Sequence, residues 1–261
     1  MPELHLHPQL TQAREAMCRV GQSLFERGYV HATAGNISMR LDDGFLITPT
    51  DACLGFLDPN DLAWLDLQGQ QRSGARASKT LALHQRIYSA TQTLSAKTAC
   101  VIHSHSTHLV ALSLKDRPIQ TPLGPELLAP ITPYFVMKVG HVPVIPYFRP
   151  GHGSSADAVA NAITRYAERG LPLHAVMLTR LGPNVWHDTP AQAMATLEEL
   201  EETARLSLLT DATPLSAEAI DDLRQTFGAH WSDLSLRNHA DVEIRCQSFV
   251  SLQRIAFSGS L

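Results

Sequence analysis

Apolar positions recur along the chain with two periods, and the change from one to the other marks out its elements. Leu10, Ala13, Met17, Val20 and Leu24 are spaced by three and four, which predicts a helix over residues 8–27 with one buried stripe and Gly28 as its stop. Phe45 to Thr48 and Leu62 to Leu67 read as short strands, the second ending in a Gln68-Gly69-Gln70 turn. A helix is expected over Leu81 to Ala90, followed by a buried strand running from Ala99 towards His105. Thr132 to Val144 is mixed and apolar, and Pro146, Pro150, Gly151 and Gly153 mark a loop. From Ser154 the helical spacing returns at Ala156, Val159, Ile163 and Tyr166 and stops at Gly170; His174 to Thr179 reads as a strand. Thr189 followed by Pro190 is a helix start, and Ala193, Leu197, Leu200, Ala204 and Leu208 carry that helix to about residue 210. A short helix is expected over Ser216 to Phe227. The tail 229–261, with Trp231, Phe249 and Phe257, is expected to pack on the rest. Strands interleaved with helices, some too close in sequence for a parallel crossover, predict an α/β/α sandwich with a mixed sheet.

Composition narrows the function classes. The 261 residues are 44% hydrophobic, enough for one substantial core. A net charge of −4 gives no basic footprint for nucleic acid, and 6% aromatic residues argue against a stacking platform for single strands. No long apolar run predicts a membrane span, and the first ten residues lack the basic and apolar regions of a secretory signal. Cys18, Cys53, Cys100 and Cys246 are scattered with no CxxC pair, as expected of reduced cysteines in a cytoplasmic protein.

The candidate chemistry centres on His103-Ser104-His105. Alternate residues of a strand project to the same side, so the two imidazoles can reach one metal ion together. Zinc usually takes three or four protein ligands, so the partners of this pair matter.

Thr33-Ala34-Gly35-Asn36-Ile37-Ser38, Ile47-Thr48-Pro49-Thr50, His103-x-His105 and Glu199-Leu200-Glu201-Glu202-Thr203-Ala204 together resemble the class II aldolase/adducin family. The segment from Thr132 through Tyr134, Lys138 and His141 to Tyr147 resembles its 3-oxo-tetronate 4-phosphate decarboxylase branch. The resemblance covers about residues 8–212. It implies a domain over 1–212 with a largely antiparallel central sheet, a C-terminal extension over 213–261, and a homotetramer with sites between subunits. It also implies a divalent metal, zinc or manganese, held by His103, His105 and a third histidine, beside a glutamate acid/base. The metal would polarise a carbonyl and stabilise an enediolate.

Carried over residue by residue, the resemblance has gaps. The third histidine aligns with Leu181, the glutamate with Thr80, and a glycine of the phosphate segment with Asp51. His108 or His141 is then a candidate to complete the metal shell, His141 being the better placed. The resemblance assigns substrate binding to Gly35, Asn36, Thr48, Thr50, Ser78 and Lys138. It leaves acid/base work to Lys79, Tyr134 or a water, with Thr80 in the catalytic position. Gly35-Asn36 is also ordinary turn chemistry. His31, His84, His152, His174 and His187 have no partner that sequence identifies, and Glu199, Glu201 and Glu202 read as a solvated helix face. Three functions follow as expectations: a decarboxylating carbon–carbon lyase acting on a sugar acid; a binding or assembly protein that kept the fold; and a metal-free enzyme with Arg180 as its electrophile.

Overall fold

A computed structural model describes residues 8–92, 97–232 and 234. Cys246, Phe249 and Phe257 lie outside the described residues. One eight-stranded sheet organises the chain. Its strands are β1 (Asn36–Leu41), β2 (Gly44–Ile47), β3 (Ala63–Asp66), β4 (Gln71–Ser73), β5 (Cys100–His103), β8 (Val144–Ile145), β9 (Ala175–Leu178) and β10 (Gly182–His187); β6 (Ile119–Thr121) and β7 (Gly124–Glu126) form a separate hairpin. The order is β4-β3-β2-β1-β5-β10-β9-β8, antiparallel throughout except for the parallel β8–β9 pair. The helices are α1 (Pro8–Glu26), α2 (Leu81–Gln92), α3 (Thr107–Leu114), α4 (Pro133–Lys138), α5 (Gly153–Ala167), α6 (Pro190–Leu209) and α7 (Ala217–Phe227). This is the mixed sandwich that the periodicity predicts.

Alternation along the central strands separates two cores. Ile37, Ile102 and Val185 face α1 and α6, with Ile220, Leu223 and Trp231 from the C-terminal part joining the same cluster. Val101, Val176 and Trp186 face the opposite side, against Ile87 and Tyr88 of α2 and Val159, Ile163 and Tyr166 of α5. α2 and α5 therefore lie side by side over the face that carries His103. Thr189 caps α6, its hydroxyl accepting from the Gln192 amide at 3.2 Å, as the Thr-Pro start predicts.

Two expectations are corrected by burial. Glu201 is not on a solvated face: it is buried and receives the His108 amide (3.0 Å), the His108 ring (2.8 Å) and the Leu109 amide (3.2 Å). A carboxylate at this point satisfies the orphan amides that open α3. His108 does not line the cavity that His103 and His105 share, which withdraws it from the metal-ligand candidates. His141 is corrected likewise. Its Nδ1 lies 3.0 Å from both oxygens of Glu126, Tyr166 donates to the same carboxylate at 2.7 Å, and the Trp231 ring stacks on the imidazole at 4.2 Å. His141 Nε2 accepts from the Ser232 amide at 3.4 Å, so neither ring nitrogen of His141 is left for a metal.

Candidate active site

The two histidines meet as the strand alternation requires. β5 ends at His103, and the His103 and His105 rings lie 4.9 Å apart between centroids, inclined at 69°. Both line a cavity of about 450 Å³ formed where the loop before β1, the loop after β2, the start of α2 and the loop before α5 converge. Two glycines make the frame possible. Gly182 opens β10 at φ +139°, where an added Cβ would stand 2.0 Å from the Ser104 carbonyl oxygen. Gly35 at φ +83° lets its loop pass the His103 backbone, which a Cβ would meet at 2.9 Å.

Hydrogen bonds fix the protons of the buried rings. His103 Nδ1 lies 2.9 Å from the Pro183 carbonyl oxygen. A carbonyl only accepts, so Nδ1 carries the hydrogen and Nε2 keeps its lone pair. His84, four residues beyond Thr80 on α2, also lines the cavity. Its Nδ1 is 2.7 Å from Ser38 Oγ, which is 2.8 Å from the Tyr88 hydroxyl, and that hydroxyl donates to the Ser38 carbonyl at 3.0 Å. One arrangement makes all three contacts: Tyr88 donates to the carbonyl, Ser38 to Tyr88, and His84 Nδ1–H to Ser38. His84 Nε2 is thus a second bare lone pair. Burial pushes the pKa of each ring down to about 3, and burial and the neighbouring His31 lower that of His105. Burial thus keeps His84 and His103 neutral at physiological pH. Ser38, the last residue of the Thr33–Ser38 segment, holds His84.

The rest of the predicted set divides by position. Gly35, Asn36, Thr50, Ser78, Lys79 and Thr80 line the cavity, and so do Asp51 and Leu181. Ser78 and Thr80 shape the start of α2, their hydroxyls 2.9 Å apart. Thr48 is buried behind the wall: its hydroxyl accepts from the Ile37 amide at 3.2 Å and its carbonyl from the Ser78 amide at 3.2 Å. It braces the binding loops without lining the cavity. Tyr134 and Lys138 sit on α4, outside this chain's own cavity, and Tyr134 is 62% exposed. Arg180 is the exposed, left-handed residue (φ +67°) of the β9–β10 hairpin, its amide donating to Ser113 at 3.1 Å. Leu181, not Arg180, meets the cavity, because the hairpin turn directs these neighbours differently. The structure therefore does not bring Arg180 to the place of an electrophile.

Sequence reasoning missed Arg149, His84 and Asn184, which also line the cavity. Arg149 lies in the loop before α5. With Lys79 it gives two cations against the single carboxylate of Asp51, a balance suited to an anionic ligand.

Thr80 and Leu181 line the same cavity as His103 and His105, and neither supplies a third imidazole or a carboxylate. Among the described residues no group of three or more His, Cys, Asp or Glu side chains could hold a metal ion. The residues present do not fit a three-ligand centre.

The sheet order and the paired histidines define a class, and sequence comparison names it. The profile of the class II aldolase and adducin N-terminal domain matches residues 15–208, and the chain belongs to that family. It is 46% identical over 228 residues to 3-oxo-tetronate 4-phosphate decarboxylase of Cupriavidus necator, covering 85% of this chain and 98% of that one. It is 38% identical over 215 residues to the protein of the same name from Escherichia coli K12, covering 81% and 94%. Among solved structures, YgbL from Klebsiella pneumoniae superposes with TM-score 0.71 at 38% identity, over 82% of this chain and 99% of that one. The L-fuculose-1-phosphate aldolase of Thermus thermophilus superposes with TM-score 0.60 at 26% identity, over 76% and 93%. These relatives make the chain an enzyme of the lyase class. No helix among the described residues is long and apolar enough to cross a membrane.

Proposed function

We propose that this chain decarboxylates a phosphorylated 3-oxo sugar acid, the reaction that the names of its relatives carry. The observation that carries the reading is the cavity itself: neutral histidines on its floor, with Lys79 and Arg149 on its walls. The phosphate is held at the start of α2 by Ser78, Thr50 and the Gly35-Asn36 loop, where the helix amides favour an anion. The ketone then extends towards His103 and His105, with the carboxylate beside Lys79 and Arg149.

In a 3-oxo acid the bond between C1 and C2 breaks. Its electron pair moves into C2–C3, negative charge gathers on the C3 oxygen, and CO₂ leaves. C2 then takes a proton, and 3-oxo-tetronate 4-phosphate would become dihydroxyacetone phosphate. Lys79 is the acid on the wall in this reading, giving C2 its proton and recovering one from water. Zinc or manganese is given no step, because the donor set does not complete a centre for either.

A homotetramer is part of the proposal, since Tyr134 and Lys138 can act only on a neighbouring copy's cavity. So is a division into a site-bearing domain over 1–212 and an extension over 213–261. A non-catalytic binding role would draw on Thr80 and Leu181 alone. Lys79→Met discriminates: the decarboxylase reading expects a loss of about 100-fold or more in kcat/KM with the fold intact. Unchanged turnover would remove Lys79 from the mechanism.

A further inference from the structure

Asn184 lies on β10 directly across from His103 on β5, and His103 in turn pairs with Asn36 on β1. Paired residues of antiparallel neighbours project from the same face, so amide, imidazole and amide form one row across three central strands. All three line the cavity. Asn184 is completely buried, yet neither its Nδ2 nor its Oδ1 has a hydrogen-bond partner among the described residues. Asn36 Oδ1 and His84 Nε2 share that condition.

Buried polar atoms are nearly always paired, because leaving one unpaired forfeits its hydration. On the same face, the next positions in this ladder are Val101 and Trp186, both packed in the apolar core. An aliphatic side chain at 184 would suit such surroundings better than an amide with two idle groups. The amide makes sense as half of a contact whose other half is a ligand.

The idle atoms also describe that ligand. Asn184 Nδ2 is a donor, whereas Asn184 Oδ1, Asn36 Oδ1 and His84 Nε2 are acceptors. Such a floor repels carboxylate and phosphate oxygens, which belong beside Lys79 and Arg149. It accepts a group that offers an acceptor and a donor together. We propose that Asn184 is a specificity-determining residue for a hydroxy ketone: its Nδ2 donates to the ketone oxygen, and its Oδ1 accepts from the adjacent hydroxyl. This inference rests on the decarboxylase reading for the phosphate end and deepens it at the reacting end.

The test is calorimetric binding to the full chain. The two probes are dihydroxyacetone phosphate and hydroxyacetone phosphate, which differ by a single hydroxyl. Wild type is expected to prefer the first by about 10- to 100-fold. Asn184→Leu should bind the two alike, and its urea midpoint should stay level or rise, which a structural asparagine would not allow. If leucine prevents folding, Asn184→Ser, too short to reach the ligand, gives the same comparison. No preference in wild type, or a preference kept by the variant, overturns the assignment. The decarboxylase reading fails separately, if wild type releases no CO₂ from the 3-oxo acid while the hydroxy-ketone preference stands. CO₂ release without that preference would sink the assignment of Asn184 and leave the reaction in place.

Discussion

The Nδ1 of His103 lies 2.9 Å from the carbonyl oxygen of Pro183, and this contact settles what the ring can do. The hydrogen is held by the backbone of the next strand, and the lone pair of Nε2 is left for the cavity. His84 reaches the same state through Ser38 and Tyr88. Two neutral imidazoles are thus built into the sheet and the helix that roofs it.

Their burial sets a pH dependence of stability. His84 and His103 have folded pKa values pushed down to about 3, against 6.5 for an ordinary histidine. Between those values the unfolded chain binds protons that the folded chain refuses. Stability therefore rises with pH across that window and levels off above it, with the two rings contributing a slope of about 2 to 3 kcal/mol per pH unit near pH 5. Urea titrations from pH 4.5 to 8 measure it. His84→Gln should remove about half of this contribution, and an unchanged slope would contradict the burial account.

Asp51 stands in the left-handed region at φ +58° and lines the cavity. Asp51→Gly should relieve about 1 kcal/mol of backbone cost. It should also remove a repulsion of up to about 4 kcal/mol per unit charge on a phosphate 4 Å away, at an effective dielectric of 20. A higher urea midpoint and a KM lower by about tenfold are expected. A rise in KM would mean that the carboxylate assists binding.

The Glu126, His141 and Tyr166 network is structural. Tyr166→Phe takes one donor from a buried carboxylate and should cost about 1–3 kcal/mol in urea denaturation while leaving turnover within about twofold. A selective loss of turnover at unchanged stability would return His141 to the list of site residues.

Metal affinity follows the donor set. Thr80 and Leu181 line the same cavity as His103 and His105. The purified chain is expected to hold well below stoichiometric zinc by elemental mass spectrometry. The double variant Thr80→Glu, Leu181→His should approach one zinc per chain. A full zinc complement in the unaltered chain would show that other groups complete the shell.

Most of the scaffold was legible because burial on one face imposes a period. The stripes of α1, α5 and α6 and the Thr189 cap of α6 each carry their signal locally. β10 was not legible: Gly182 and Pro183 look like a loop, yet here the glycine passes the Ser104 carbonyl and the Pro183 carbonyl anchors His103. α4 is only six residues long, too short for a period, and shows itself by the Thr132 hydroxyl that accepts from the Phe135 amide. Glu201 was misread because a charge on a helix usually faces water; only the tertiary contact with α3 shows that it caps another helix. His84 did have a signal. It stands one helical turn beyond Thr80, so the two share a helix face and reach the same cavity.

Catalysis is measured most directly as CO₂ release by the full chain from 3-oxo-tetronate 4-phosphate, generated in place because 3-oxo acids lose CO₂ unaided. Dihydroxyacetone phosphate should form at a rate proportional to enzyme and well above the uncatalysed reaction, and Lys79→Met should abolish most of the excess. A rate equal to the uncatalysed one would contradict the account and turn attention to what the cavity binds.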